Sequence, residues 1–90
     1  MILAGFAALH ARGAVLDLGT GCGVLLLLLS SLAPAMRTGT GVELQEDLHD
    51  FARRNFRENF PDGRLVAVPG DFRGEIPGID PGSFDLVVSN

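Results

Sequence analysis

Several things are scarce in this 90-residue sequence, and each scarcity excludes a class of protein. There is one cysteine, Cys22, so no internal disulfide can form, and a reducing, cytoplasmic setting is expected. Lysine is absent; the positive side chains are seven arginines set against eleven acids, for a net charge of −4. That balance is not the footprint of a nucleic-acid clamp, so any phosphate-binding surface would have to come mainly from other parts of a larger protein. The longest apolar run, Val24 to Leu29, falls well short of the roughly 20 residues of a membrane span. Met1 to Phe6 is apolar but has no basic leader, and it reads as the end of a helix packed beneath a sheet rather than a signal peptide. His10 and His49 are far apart in sequence with no ligand constellation around them, so each is expected to be an ordinary surface or helix residue and no metal is expected.

What the chain does have is apolar material, 47% of residues with 20% charged, which excludes a disordered reading. Ninety residues hold one small core at most, fewer than a doubly wound nucleotide-binding domain needs, so 1–90 is expected to be part of a single domain. Ala14–Leu18, closed by Gly19, reads as a buried parallel strand, and Gly23–Leu32, with five consecutive leucines, as a helix covered on most sides and ending before Pro34. Thr38–Val42 reads as a second strand weakened by Gly39 and Gly41, with Glu43 at its end. A helix is expected from about Gln45 to Asn59, with Leu48, Phe51, Ala52, Asn55 and Phe56 forming its inward stripe. Leu65–Val68 is the third strand and Phe84–Ser89 the fourth, joined by a loop over Gly74–Ser83 with three glycines and two prolines and at most one helical turn. Strand and helix alternate at the pace of a parallel α/β sheet with right-handed crossovers.

The segment Asp17-Leu18-Gly19-Thr20-Gly21-Cys22-Gly23 puts three alternate glycines at a strand-to-helix turn, where backbone amides can approach a ligand and a helix N-terminus faces it. A dinucleotide dehydrogenase is expected to carry G-x-G-x-x-G; the third glycine's place is taken here by Val24, and an acid stands two residues before the first glycine. The spacing favours a different nucleotide cofactor. Glu43, at a strand end, can accept from both hydroxyls of a ribose and would repel a 2′-phosphate.

The D-L-G-T-G-C-G run is similar to the first motif of class I S-adenosylmethionine-dependent methyltransferases. The resemblance implies a Rossmann-like methyltransferase fold, of which this chain would supply the N-terminal half of the parallel sheet, in strand order 3-2-1-4. It further implies S-adenosylmethionine as cofactor, with Gly19, Thr20, Gly21 and Gly23 cradling the methionine portion and Asp17 holding its ammonium directly or through water. Glu43, with Leu44 beside it, would take the ribose. Asp71 would accept from the adenine amine, and Phe72 would pack against the ring. Phe84-Asp85-Leu86-Val87-Val88-Ser89-Asn90 resembles the strand leading into N-P-P-Y, the motif of methyltransferases that act on amide or exocyclic amine nitrogens. Asn90 would be its first residue and the catalytic one; both ends of the domain are expected to lie outside these 90 residues.

Gly41-Val42-Glu43-Leu44-Gln45 and Phe51-Ala52-Arg53-Arg54-Asn55 most resemble the tRNA(Val) adenine-N6 methyltransferase family, which implies a tRNA partner contacted mostly elsewhere in the protein. The glutamine methyltransferases of peptide release factors share the glycine motif and N-P-P-Y but usually carry Asp where Glu43 stands. A non-catalytic nucleotide-binding module, for these residues taken alone, and a nicotinamide oxidoreductase are the remaining alternatives. Arg53, Arg54 and Arg57, mixed with Asp47, Asp50 and Glu58, read as a solvated helix face rather than a contact for RNA.

Overall fold

Short apolar runs ended by glycine or proline become strands, and the two segments of helical period become helices, in the computed structural model, which describes residues 11–89. The strands are β1 Gly13–Leu18, β2 Met36–Glu43, β3 Leu65–Pro69 and β4 Leu86–Ser89; the helices are α1 Val24–Leu32 and α2 Glu46–Asn59, with a 3₁₀ turn at Pro81–Ser83. All pairings are parallel and the order is β3-β2-β1-β4, as the resemblance implies. The expected helix over Met1 to Phe6, the reading of His10, and Asn90 lie outside the described residues.

Both helices pack on one face of the sheet. Val15, Leu25, Leu26, Leu29, Met36, Ala52, Phe56 and Leu65 form the main core there, and Leu86 and Val88 of β4 pack against it from the same side. The opposite face has a smaller cluster, Leu16, Val42 and Ile76, flanked by Leu18, Val68, Ile79 and Phe84. Among the described residues the connection from β3 to β4 covers it, and Val66 and Val87 are 47% and 41% exposed. The outer edge of β4 has no strand beside it among the described residues.

Several boundaries and burials differ from expectation. Strand β2 starts at Met36 rather than Thr38, because its ladder with β1 begins at Gly13↔Met36 and continues through an irregularity before Ala14↔Thr38. Its glycines have a packing cause. A Cβ on Gly39 would lie 2.7 Å from the Leu65 side chain, and one on Gly41 2.6 Å from Thr20 Oγ1, so β2 runs close under the loop after β1. Helix α1 is less fully buried by the described residues than its composition suggests: Leu25, Leu26 and Leu29 are buried, Leu27 and Leu28 are half-buried, and Val24 and Leu32 are exposed. On α2, Ala52 and Phe56 are buried, but Phe51 is exposed, with the Arg54 guanidinium 4.9 Å from its ring centre. Phe51 falls one position off the stripe of Leu48, Ala52, Asn55 and Phe56, and a cation over an aromatic face is a stable alternative to burial. Acids in the first turn of α2, Glu46 and Asp47, and Arg57 in its last turn suit the helix dipole.

Strand β4 begins at Leu86, not Phe84. Phe84 instead joins the small cluster, while Asp85 is fastened to the start of β1: the Ala14 N–H donates to Asp85 Oδ2 at 2.8 Å and the Asp85 N–H to the Ala14 carbonyl at 2.8 Å. This clamp sets the β1–β4 register, in which Leu18 faces Ser89. Because every strand runs the same way, the ends Leu18, Glu43, Pro69 and Ser89 share one edge of the sheet. The chain passes from β1 outward to β2 and β3 on one side and then returns from β3 to β4 on the other side of β1, so the strand order reverses there, the arrangement in which α/β proteins form a ligand crevice.

Candidate cofactor site

The loop from β1 to α1 begins on a buried acid. Asp17 is fully buried; its Oδ2 accepts the Thr20 hydroxyl at 2.9 Å, and its Oδ1 has no partner among the described residues. Burial disfavours the charged form and raises the carboxyl from 3.8 to about 6; the Thr20 bond opposes that shift and the nearby Glu43 charge adds to it. Asp17 thus lies beneath the glycine loop, with no exposed surface of its own.

The loop is tied to its neighbours at several points. Gly19 and Thr20 both donate N–H to the Val42 carbonyl at 2.9 Å, and the Gly23 N–H donates to the Thr20 carbonyl at 2.9 Å. Gly19, Gly21 and Gly23 have φ of +77°, +59° and +92°, a left-handed sequence that side chains resist. Gly23 has a second requirement, since a Cβ there would lie 2.5 Å from the Phe56 ring. Around Gly21, by contrast, a Cβ would meet open space.

Glu43, 8% exposed at the end of β2, accepts the Gly21 N–H at 2.8 Å through Oε1 and the Gln45 N–H at 2.9 Å through Oε2. Each carboxylate oxygen retains acceptor capacity after one bond. Glu43 therefore joins the glycine loop to the start of α2 and still presents acceptors. Beyond it, Gly19, Glu43, Leu44, Gln45, Asp71, Phe72 and Arg73 line one concavity of about 310 Å³. Five of the residues singled out from sequence, Gly19, Glu43, Leu44, Asp71 and Phe72, meet there. Asp17, Thr20, Gly21 and Gly23 are not among its walls: Thr20 is buried, turned toward Asp17 and Gly41, and Asp17 supports the loop from beneath.

Asp71 is held by Arg73. The guanidinium donates through Nη2 at 2.7 Å and Nε at 2.9 Å, and the Arg73 backbone N–H donates at 3.0 Å. These bonds pull the Asp71 carboxyl down to about 2. The Phe72 ring is 42% exposed and lies against Gly19, where a Cβ would sit 3.4 Å from it. Phe72 also borders a second, larger concavity of about 670 Å³ walled by Leu18 and the segment Gly74–Pro81. The Asp80 carboxylate, accepting the Gly82 N–H at 2.9 Å, caps the 3₁₀ turn at the end of that wall.

Three residues with structural work at the site escaped the sequence reading. Arg73 clamps Asp71, Gln45 supplies an N–H to Glu43, and Asn55 donates from α2 to the Cys22 carbonyl at 2.9 Å. The one sequence signal was Asn55 itself, a polar residue on an otherwise apolar stripe. His49, expected to be ordinary, bonds the Ala67 carbonyl of β3 through Nε2 at 3.1 Å and so ties α2 to the sheet edge.

These residues fit S-adenosylmethionine. The ligand is cationic at its sulfonium and ammonium, and the site has three acids, an acceptor oxygen on Asp17 with no donor, spare acceptors on Glu43 and a half-exposed aromatic face. Among the described residues no group of His, Cys, Asp or Glu side chains could hold a metal ion, and no helix is long and apolar enough to cross a membrane.

Comparison with known proteins agrees with this geometry. Residues 15–90 match the family described as "Methyltransferase domain". The release factor glutamine methyltransferase of Rhodospirillum rubrum is 35% identical over 91 residues, covering 100% of this chain and 26% of that protein. That of Caulobacter vibrioides is 35% identical over 81 residues, covering 90% and 27%. The chain thus spans about a quarter of the length of the curated relatives it matches. Its fold superposes on the crystal structure of an RNA methyltransferase from Salinibacter ruber in complex with S-adenosyl-L-homocysteine, with a TM-score of 0.75, 22% identity, and coverage of 98% of this chain and 54% of that one. With a glycine loop over a buried acid, Glu43 at the end of β2 and Asp71 two residues past β3, the chain belongs to the class I S-adenosylmethionine-dependent methyltransferases.

Proposed function

We propose that the protein containing this chain is an N-methyltransferase acting on a nitrogen whose lone pair is delocalised, a carboxamide or an exocyclic amine. One observation carries the cofactor half of this reading: Gly19, Glu43, Leu44, Asp71 and Phe72 converge on one concavity at the strand ends. S-adenosylmethionine, when bound, supplies an electrophilic methyl group. Glu43 takes the ribose hydroxyls, Asp71 accepts from the adenine amine, Phe72 packs on the base, and Asp17 sets negative charge beneath the loop that faces the methionine portion.

The target half rests on Asn90, which follows a strand whose end lies beside that of β1. Its side-chain oxygen would accept from the substrate NH₂ group and orient the nitrogen, which offsets the poor nucleophilicity of a conjugated amine by positioning. Asn90→Ala should leave cofactor binding intact and abolish turnover; full turnover in that variant would remove Asn90 from the mechanism.

For the substrate, a glutamine side chain of a protein is favoured by the names of the two curated relatives. The exocyclic amine of a tRNA adenine is the second reading. It is favoured by Glu43 in place of the usual Asp and by the Gly41–Gln45 and Phe51–Asn55 segments. The first test is calorimetric titration of the complete protein with S-adenosylhomocysteine and, separately, with NADH. Binding of the former alone supports the reading and leads to methyl transfer assays on release factor and on tRNA; binding of NADH alone overturns it.

A further inference from the structure

The peptide carbonyl of Cys22 stands at the least regular point of the glycine loop, between Gly21 and Gly23, whose φ values are +59° and +92°. It precedes α1, and the first carbonyl to accept from that helix is Gly23, at 3.1 Å from the Leu27 nitrogen. Backbone hydrogen bonding within the loop and helix therefore leaves the Cys22 oxygen without a donor. A half-buried carbonyl in that position costs stability or rotates toward another partner. The partner comes from 33 residues away: Asn55 Nδ2, on the inward side of α2, donates to it at 2.9 Å. The next residue, Phe56, is 1% exposed, and its ring fills the space beside Gly23.

We propose that Asn55 is a positioning residue for the cofactor site, its amide holding the Cys22 peptide so that the Gly21 N–H stays aimed at Glu43. Freed from Asn55, the Cys22–Gly23 peptide rotates and its Gly23 N–H releases the Thr20 carbonyl; the Thr20–Gly21 peptide then turns, the Gly21 N–H to Glu43 bond lengthens, and the carboxylate loses one of the two bonds that fix it at the concavity wall. A residue that touches no ligand thus sets the orientation of one that does. The inference rests on the reading of the concavity as the S-adenosylmethionine site, and the test separates the two.

Asn55→Asp keeps the side-chain shape and removes the donor, placing an oxygen against the Cys22 oxygen. Asn59→Ala is the control. It removes a similar amide on the same helix that bonds only the helix's own Asn55 carbonyl, at 2.8 Å. In the complete protein without ligand, amide hydrogen exchange at Gly21 and Gly23 should speed up about tenfold in Asn55→Asp and stay unchanged in Asn59→Ala, the scale of one lost hydrogen bond. The dissociation constant for S-adenosylhomocysteine should rise about tenfold in Asn55→Asp only, with kcat at saturating cofactor preserved. Unchanged exchange and unchanged affinity in folded Asn55→Asp overturn the proposal. Should that variant not fold, Asn55→Ser, whose hydroxyl is too short to reach, takes its place, and failure of both to fold overturns a positioning role in favour of a purely structural one. If the unaltered protein binds no S-adenosylhomocysteine, the functional reading fails, while the exchange rates still decide whether Asn55 holds the loop.

Discussion

The two halves of the proposed cofactor site are built by opposite means. On the β1–β2 side, Asp17, Thr20 and Glu43 are buried, and the glycine loop is fastened by bonds to Val42, Glu43 and Asn55 over the Phe56 ring. On the β3 side, Asp71 and Phe72 stand on an open connection, and among the described residues the Asp71 carboxylate is held by its neighbour Arg73. The same residue type lands at opposite ends of its range: burial raises Asp17 to about 6, and an exposed arginine lowers Asp71 to about 2. A preset half suits the polar tail of a ligand, where geometry must be fixed before binding. An adjustable half suits a flat base, which stacking and one hydrogen bond can hold.

The largest blow to the preset half is Phe56→Ala. The ring is fully buried between α2 and the glycine loop, so its loss should destabilise the protein by about 3–5 kcal/mol, read as a fall in the denaturant midpoint. Asp17→Asn should act in the other direction. Because the folded-state value of Asp17 is raised, its neutral form is the one the fold favours. Its contribution is most favourable below the unfolded value of 3.8 and is lost as pH rises through about 6. The asparagine variant should therefore be more stable than the parent at pH 8, by at most roughly 3 kcal/mol, and the gain should shrink toward pH 4. Its affinity for S-adenosylmethionine should nonetheless fall. Equal stability of the two proteins at pH 8 would mean that Asp17 is not destabilised by its burial.

Next in size is Gly41→Ala, which drives a methyl into Thr20 and should cost about 1–3 kcal/mol, with weakened cofactor binding because the loop must lift. Smallest is Arg73→Ala on the adjustable half. An exposed ion pair adds little to stability, so the melting temperature should not move at neutral pH. The pair's effect is present above the ordinary aspartate range and is lost as pH falls toward 2. Binding of S-adenosylhomocysteine should change by no more than a few-fold. A large loss would mean that Arg73 contacts the cofactor itself and that the contrast between the halves is weaker than drawn.

Much of this was legible in the residues. Asp17 to Gly23 announced the loop because alternate glycines after a buried strand have few other uses, and Glu43 followed because a strand that ends on an acid presents it at the sheet edge. The alternation of strand and helix gave a parallel sheet, and the family resemblance gave its strand order. Phe51 misled because helical period alone does not say how wide the buried stripe is, and here Arg54 offers the ring a place outside. The leucine run of α1 misled in a related way: among the described residues only Leu25, Leu26 and Leu29 of it are buried, because helical period turns Leu27 and Leu28 partly away from the sheet.

Local sequence determined which backbone shapes were possible: left-handed turns at Gly19, Gly21 and Gly23, a helix stop before Pro34, and a polar Asn55 among apolar neighbours. Those follow from steric and solvation preferences that act over a few residues. Only the tertiary structure decided that Asn55 meets Cys22, that Gly41 makes room for Thr20, and that Asp17 is sealed from water and so holds its proton more tightly. Each of those depends on the distance and dielectric between segments far apart in the chain, which exist only once the sheet has brought them together.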